Sequence, residues 1–195
     1  MIDCIIPAAG LSKRMLQWKP LLPLYHKTII EWSVSNAIAG GCRVILVVGT
    51  NGKRLQQLFS NNDTLTIIEN QNYQEGLLSS IKVGLSKVKT SHFFISLADM
   101  PFILPDIYQK LQKFKSTKVI FPIFQGKTGH PVLIPNVFTN KIHRFQNNNG
   151  LKPLLVKLPH QTVSISSQGV LIDIDTPENY DLAKSQAESF LGCFY

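Results

Sequence analysis

The sequence contains 195 residues, of which 44% are hydrophobic and 16% are charged. This size and balance predict a single globular domain over residues 1–195 and exclude a disordered chain. There are 20 Lys and Arg residues against 12 Asp and Glu residues, so the formal net charge is +8, which favours an anionic partner. The basic residues are scattered and are not interleaved with aromatic residues, which argues against nucleic acid as that partner.

The pattern of cysteines and apolar runs indicates the cellular compartment. Cys4, Cys42 and Cys193 form no Cys-x-x-Cys pair, and Cys4 lies in an apolar run where a buried thiol is the simplest interpretation. No signal-peptide pattern precedes the first apolar run, and no apolar stretch approaches the roughly 18–20 residues of a membrane span. We therefore expect a cytoplasmic protein with no membrane partner.

Short apolar runs alternate with longer amphipathic segments along the chain. Thr28 and Glu31 have the spacing of a capping box, and Thr176 followed by Pro177 is typical of a helix start. The alternation predicts an α/β fold, a three-layer α/β/α sandwich with a mainly parallel, Rossmann-like sheet. Strands are predicted at residues 4–6, 44–48, 65–68, 92–97, 119–122, 132–134 and 171–174. Helices are predicted at residues 28–39, 52–59, 76–88, 105–114 and 135–145, and from residue 176 onward.

A small-residue loop with basic side chains follows the first predicted strand. In open α/β sheets, ligands bind beyond the carboxyl ends of the strands. Small residues let the backbone approach a ligand, successive amides point towards an anion, and the basic side chains add positive charge. The P-loop and dinucleotide motifs are both missing, so phosphate binding and an ordinary turn both remain open. The members of this loop are Ala8, Ala9, Gly10, Ser12, Arg14 and Lys19.

Carboxylates and a histidine lie on or beside three later strands. Asp99 ends the fourth predicted strand, where it could bind Mg²⁺ or cap a helix. Asp173 and Asp175 project from the same face of a predicted strand, so both could converge on one metal. Alternatively, Asp175 helps to begin the next helix. His130, beside another strand, is on its own more typical of a structural residue.

These clusters resemble the molybdenum cofactor nucleotidyltransferase family, within the wider nucleotide-diphospho-sugar transferase fold. The resemblance runs from residue 2 to about residue 190 and identifies residues 1–195 as one NTP-transferase domain. The matching motifs are, in chain order, Ala8-Ala9-Gly10-x-Ser12-x-Arg14-Met15 through Lys19, Asn72-x-x-x-Gly76-x-x-Ser79-Ser80, Asp99-Met100-Pro101, Gly129-His130-Pro131 and Asp173-Ile174-Asp175-Thr176-Pro177-Glu178.

The resemblance implies a role for each cluster. Arg14, Lys19 and Asp99 would be catalytic. The metal, Mg²⁺, would be bound by Asp99, with Asp173 and Asp175 completing its site. The acceptor side would contain His130, Asn148 and Lys152. The nucleotide would be bound by Ala8, Ala9, Gly10, Ser12, Arg14, Lys19, Asn72, Gly76, Ser79 and Ser80.

The first loop also implies which nucleotide is used. Ala-Ala-Gly at residues 8–10 resembles the cytidylyl-transferring branch of the family, whereas Ala-Gly-Gly is typical of the guanylyl-transferring branch. We therefore expect CTP as the donor and a phosphorylated small molecule, molybdopterin, as the acceptor. Pyrophosphate would leave, and the product would pass to a molybdoenzyme.

Two departures from the family pattern leave alternatives open. Leu16 stands where the family has Gly, and residues 147–152 read Asn-Asn-Asn-Gly-Leu-Lys where the family has Gly-Asp-x-Gly-Ala-Arg. Leu does not readily adopt left-handed backbone conformations, so the loop could follow another path. One alternative is a sugar or alcohol phosphate as acceptor. The other is a non-catalytic, nucleotide-binding accessory protein of a molybdoenzyme.

Overall fold

Strands and helices alternate along the chain, as the hydrophobic pattern predicts. The computed structural model describes residues 1–10, 18–49, 51–60, 62–147 and 150–192. Within these ranges, the strands are β1 (Ile2–Ala8), β2 (Pro23–Leu24), β3 (Lys27–Thr28), β4 (Cys42–Val48), β5 (Leu65–Glu69), β6 (His92–Ile95), β7 (Val119–Phe124), β8 (Lys127–Thr128), β9 (Val132–Pro135) and β10 (His160–Ser164). The α-helices there are α1 (Ile29–Ala39), α2 (Gly52–Leu58), α3 (Leu77–Leu85), α4 (Pro105–Gln112), α5 (Thr139–Arg144), α6 (Lys152–Leu155) and α7 (Pro177–Leu191).

The main sheet is mostly parallel. Its order is β10-β7-β9-β6-β1-β4-β5, with β8 beside β7. The four strands β5, β4, β1 and β6 are parallel to one another, whereas β9 is antiparallel to both β6 and β7. Every residue of β1 is buried, because both faces of this central strand are covered. The predicted three-layer α/β/α sandwich is confirmed.

Alternate residues of β1 supply two separate cores. Cys4 and Ile6 pack on one face with residues of α1 and α4, and Ile5 packs on the other with residues of α3 and α5. This period-two alternation is what a strand buried on both faces requires. A third cluster joins α7 to Trp32 and Phe102. The buried Cys4 thiol agrees with the interpretation of its apolar run.

Both predicted helix starts are confirmed. Thr28 Oγ1 accepts a hydrogen bond from the Glu31 amide at 3.4 Å, and Glu31 Oε2 accepts one from the Thr28 amide at 2.8 Å. Thr176 Oγ1 accepts from the Asn179 amide at 3.3 Å, with Pro177 in the first helical position. Each pair satisfies amides that the helix itself leaves without a partner.

The predicted strand at residues 171–174 is wrong. A 3₁₀ turn at Gln168–Val170 is followed by irregular backbone up to α7. Ile174 is fully buried, and its amide donates to the Asp99 carbonyl at 3.0 Å. The apolar residues of this segment therefore pack beside the loop after β6 instead of joining the sheet. The segment predicted as a helix at 135–145 begins as the end of β9 and a 3₁₀ turn before α5.

The described helices were compared with the length and apolar character that a membrane-spanning helix requires. None of them is both long enough and apolar enough to cross a bilayer.

Candidate active site

A cavity of about 580 Å³ opens at the carboxyl ends of β1 and β6. Ala8, the last residue of β1, lines one wall of it together with the next two residues, Ala9 and Gly10. Lys19, Asp99 and Asp175 form another, and residues from Tyr73 to Ser80 close a third side. This volume lies within the usual range of about 300–1,000 Å³ for small-molecule sites. The carboxyl edge of the sheet is therefore the candidate site, as the strand pattern predicts.

Lys19 connects two carboxylates from distant parts of the chain. Its Nζ lies 2.6 Å from Asp99 Oδ2 and 2.8 Å from Asp175 Oδ1. The side chains of Lys19, Asp99 and Asp175 are 13%, 22% and 37% exposed, so the cluster is accessible from the cavity. The hydrogen bond between the Ile174 amide and the Asp99 carbonyl brings the two acidic segments together.

Electrostatic interactions within this cluster shift two pKa values. Burial acts to lower the pKa of Lys19, but the charge of Asp99 and the hydrogen bonds to Asp175 and Asp99 outweigh it and raise the pKa. Lys19 is therefore a cation near neutral pH. Partial loss of hydration raises the pKa of Asp173, and the negative charges of Asp175 and Asp99 raise it further. The region is thus rich in negative charge and favours an additional cation.

The residues present fit Mg²⁺ in part. Asp99 and Asp175 converge on one ammonium, and carboxylate oxygens are ligands that Mg²⁺ prefers. Among the described residues, no group of three or more His, Cys, Asp or Glu side chains could hold a metal. The metal roles of Asp99, Asp173 and Asp175 stay predictions: Asp99 and Asp175 meet at Lys19, and Asp173 lies on irregular backbone where their charges raise its pKa. One or two carboxylates with substrate phosphates are nevertheless a common Mg²⁺ site.

The Asn72–Ser80 segment is ordered by a residue that the sequence analysis did not identify. Asn70 is 2% exposed, and its Nδ2 donates to Ser79 Oγ at 2.9 Å and to Ser80 Oγ at 3.0 Å. Its Oδ1 accepts from the Asn72 amide at 3.0 Å. Gly76 and Ser80 line the main cavity, whereas Asn72 and Ser79 support the segment through these bonds. A polar residue directly after β5 was the available signal, as Asp99 was after β6.

Tyr73 and Leu77 also line the main cavity and were missed. A Cβ on Gly49 would lie 3.0 Å from the Tyr73 ring and 3.1 Å from the Ala9 carbonyl oxygen. The absence of a side chain at Gly49 therefore lets Tyr73 approach the first loop. Tyr73 lies inside the Asn72-to-Gly76 motif, but nothing in the motif marks it as a cavity residue.

The predicted acceptor residues His130 and Lys152 line a second cavity of about 180 Å³. This cavity shares Leu77 and Leu97 with the main one, so the two adjoin. The His130 amide donates to the Val170 carbonyl at 2.9 Å. A Cβ on Gly129 would lie 2.0 Å from that carbonyl oxygen, so the position before His130 has no room for a side chain.

Four residues that either were assigned to the site or depart from the family pattern lie outside the described ranges. They are Ser12, Arg14, Leu16 and Asn148. Their assigned roles stay predictions.

Two known proteins resemble this sequence over more than half of its length. The molybdenum cofactor cytidylyltransferase of Escherichia coli (strain K12) is 37% identical over 185 residues, covering 95% of this chain and 96% of that protein. A probable molybdenum cofactor guanylyltransferase of Natranaerobius thermophilus is 26% identical over 129 residues, covering 64% of this chain and 62% of that protein.

Among solved structures, a nucleotidyl transferase from Methanothermobacter thermautotrophicus superposes with a TM-score of 0.85 at 20% identity, covering 99% of each chain. At that identity the likeness concerns the fold alone. The family model described as the MobA-like NTP transferase domain matches residues 4–163. This chain therefore belongs to the MobA-like NTP transferase domain family.

Proposed function

We propose that this protein is a Mg²⁺-dependent cytidylyltransferase that moves CMP from CTP to molybdopterin and releases pyrophosphate. The observation that carries the proposal is the cluster of Lys19, Asp99 and Asp175, which faces a nucleotide-sized cavity beside the Ala8–Gly10 loop. The nearly full-length relative named a molybdenum cofactor cytidylyltransferase supports the choice of donor and acceptor.

The reaction is an in-line displacement at the α-phosphorus of CTP. A phosphate oxygen of the acceptor forms a new bond to the α-phosphorus as the bond between that phosphorus and its bridging oxygen to the β-phosphate breaks. The bonding electrons leave with pyrophosphate. A phosphate monoester is already ionised near neutral pH, so the step requires no strong general base. The protein's contribution is to position the two substrates and to neutralise charge.

Lys19 has the main electrostatic role. Its ammonium is held at the cavity wall by Asp99 and Asp175, where it can meet the triphosphate. Positive charge at this point stabilises the negative charge that develops on the leaving pyrophosphate. Ala9 and Gly10, which follow β1, line the same cavity, and their backbone amides would donate to the same phosphates.

Asp99 and Asp175 would hold Mg²⁺ once the triphosphate supplies further oxygen ligands. When bound, the ion would neutralise phosphate charge and act as a Lewis acid. Because the triphosphate would supply ligands to the metal and the metal would neutralise the triphosphate, we expect nucleotide and Mg²⁺ to bind cooperatively.

Thermal unfolding tests the choice of nucleotide. The protein is melted with CTP, GTP, ATP and UTP, each with and without Mg²⁺. A ligand at about 100 times its dissociation constant adds about 2.7 kcal/mol of stability, or roughly 5–10 °C for a domain of this size. We expect the largest shift with CTP and Mg²⁺ together. A largest shift with GTP would instead assign guanylyl transfer, and no shift with any nucleotide would contradict the proposed nucleotide binding. A shift with CTP but no pyrophosphate release with any acceptor would support a nucleotide-binding accessory protein.

Pyrophosphate release tests the acceptor. With CTP and Mg²⁺ present, we expect release on adding molybdopterin and none on adding a sugar 1-phosphate or an alcohol phosphate. Release with one of the latter acceptors, and none with molybdopterin, would contradict the proposed acceptor while keeping cytidylyl transfer.

A further inference from the structure

The second cavity is too small to be a complete ligand site. Its volume of about 180 Å³ falls below the usual range of about 300–1,000 Å³ and equals that of about six water molecules. The main cavity, with which it shares Leu77 and Leu97, is within that range. The second cavity is therefore suited to one part of a ligand whose other part enters the main cavity.

The walls of the second cavity define the chemistry of its occupant. Most of its lining is apolar, including Ile81 of α3, Phe121 of β7 and Leu155 of α6. Lys152 adds a positive charge, and His130 adds a polar ring. Such walls favour a ring with apolar faces that carries an anionic substituent.

His130 presents a fixed hydrogen-bond acceptor. Its Nδ1 lies 3.3 Å from the Ile95 carbonyl oxygen, and a carbonyl oxygen only accepts, so Nδ1 carries the hydrogen. Burial lowers the pKa of His130, which keeps the ring neutral. The Nε2 atom therefore has a free lone pair.

The position of Nε2 follows from the hydrogen-bond pattern. Among the described side chains, no nitrogen or oxygen atom is both buried and without a hydrogen-bond partner. Nε2 of His130 has no hydrogen-bond partner among those residues, so this atom of the half-buried ring keeps some exposed surface. Because His130 lines the second cavity, that cavity is where Nε2 can meet a ligand.

We infer that His130 is a specificity-determining residue for the acceptor: Nε2 accepts a hydrogen bond from an N–H group on the edge of a flat heterocycle bound in the second cavity. The inference rests on the proposed function, since it takes the acceptor to enter this cavity while CTP occupies the main one. A pterin ring has the required chemistry, with apolar faces and N–H donors on its edge.

Two variants separate the acceptor role of His130 from its structural role. His130→Asn can keep the bond from the δ position to the Ile95 carbonyl but removes the acceptor at Nε2. His130→Gln reaches the cavity with an amide oxygen that can replace Nε2. His160→Asn is the matched control, because His160 Nδ1 also bonds a backbone carbonyl, that of Leu158 at 2.9 Å, and His160 lines neither cavity.

The measurement is calorimetric titration with pterin and with pteridine, in the presence of Mg²⁺ and saturating CTP. Pteridine has the same fused rings but no N–H donor. We expect wild type to bind pterin more tightly than pteridine. His130→Asn should weaken pterin binding about tenfold, as expected for one lost hydrogen bond, and leave pteridine unchanged. His130→Gln should recover most of the pterin affinity, and His160→Asn should match wild type.

Two results would overturn the inference. One is a His130→Asn variant whose pterin affinity stays within about twofold of wild type, which is less than one net hydrogen bond. The other is equal weakening of pterin and pteridine binding, because that marks a general change in the cavity. Failure of the proposed function is detected separately, as an absence of CTP binding by the wild-type protein.

Discussion

Two ion pairs lie at opposite ends of the central sheet and differ in what surrounds the carboxylate. Near the amino end of β1, Asp3 is fully buried, and its Oδ1 lies 2.6 Å from Nη2 of Arg43. Its Oδ2 accepts from the backbone amides of Lys89 and Thr90, at 2.6 and 3.0 Å. At the carboxyl end, Asp99 and Asp175 are partly exposed and share the flexible ammonium of Lys19.

The difference shows which charges are available for chemistry. The hydrogen bonds from the backbone amides to Asp3 cannot break without disrupting the fold. The negative charge of Asp3 is therefore not available to bind a ligand. A lysine side chain is flexible and can exchange one anion for another. The carboxylates around Lys19 can thus be rearranged when a triphosphate arrives. Burial and partner type, more than charge itself, separate the structural pair at Asp3 from the pair at Lys19 to which we assign a role in catalysis.

Among the changes to either ion pair, removal of the Lys19 side chain should have the largest effect, and this effect should be on turnover. We expect Lys19→Ala to lower turnover by about 100- to 1,000-fold, because it deletes a donor aimed at developing charge. The free energy of unfolding should change by less than about 1 kcal/mol, as is typical of partly exposed pairs. Pyrophosphate release and urea unfolding measure the two quantities. Lys53→Ala, at an exposed position of α2, is the control. Near-normal turnover of Lys19→Ala would remove Lys19 from the mechanism.

The opposite pattern is expected at the amino end. Asp3→Asn should lower the free energy of unfolding by about 2 kcal/mol, since it weakens charge-assisted bonds and leaves Arg43 without its counterion. Turnover should stay within about twofold of wild type, because the local stability loss does not reach the cavity. Urea unfolding and pyrophosphate release at neutral pH measure these values. A large loss of turnover at unchanged stability would contradict the structural assignment.

Lowering the pH should abolish the difference in the free energy of unfolding between wild type and Asp3→Asn. Burial acts to raise the pKa of Asp3, but hydrogen bonds from Lys89, Arg43 and Thr90 outweigh it, and the pKa is lowered from 3.8. The unfolded chain then binds the proton more readily, so stability falls as the pH falls through this window. The stability difference should be constant above about pH 5 and shrink below pH 4. A difference that stays constant down to pH 2.5 would show that the charge of Asp3 is unimportant.

Replacing Arg43 by another cation, lysine, should have the smallest effect on the free energy of unfolding. Arg43 contacts Asp3 through both Nε, at 2.7 Å, and Nη2, and it also donates to the Lys87 carbonyl at 3.2 Å. A lysine is a point charge and cannot reproduce this planar arrangement. Arg43→Lys should therefore lower the free energy of unfolding by about 1 kcal/mol with no change in turnover. A stability equal to that of wild type would show that charge alone suffices at this end.

Local sequence signals predicted much of the fold. The capping box at Thr28 and the start of α7 at Thr176 were identified because their hydrogen bonds join residues three apart. The strand β10 was missed because only Val163 of its five residues is buried, so it has no apolar run. The segment at 171–174 was misassigned because its apolar residues pack against the loop carrying Asp99, a contact that no local pattern encodes.

The candidate site was predictable where a charged residue lies in the loop that follows a strand. Lys19 and Asp99 were expected there, and they do meet. Asn70 also follows a strand, β5, but its position alone did not identify it as a site residue. Its role depends on hydrogen bonds to two serines about ten residues away. Tyr73 and Leu77 could not be identified because cavity walls arise from how helices pack on the sheet, which the sequence does not display.

The close contact at Gly129 couples the position of the second cavity to the position of the acidic cluster around Lys19. The chain before His130 lies against the Val170 carbonyl, and the residues that follow Val170 lead directly to Asp175. A side chain at position 129 would push these segments apart, and with them the second cavity and the acidic cluster around Lys19. Position 129 therefore admits no residue larger than glycine unless the backbone on both sides of this contact moves.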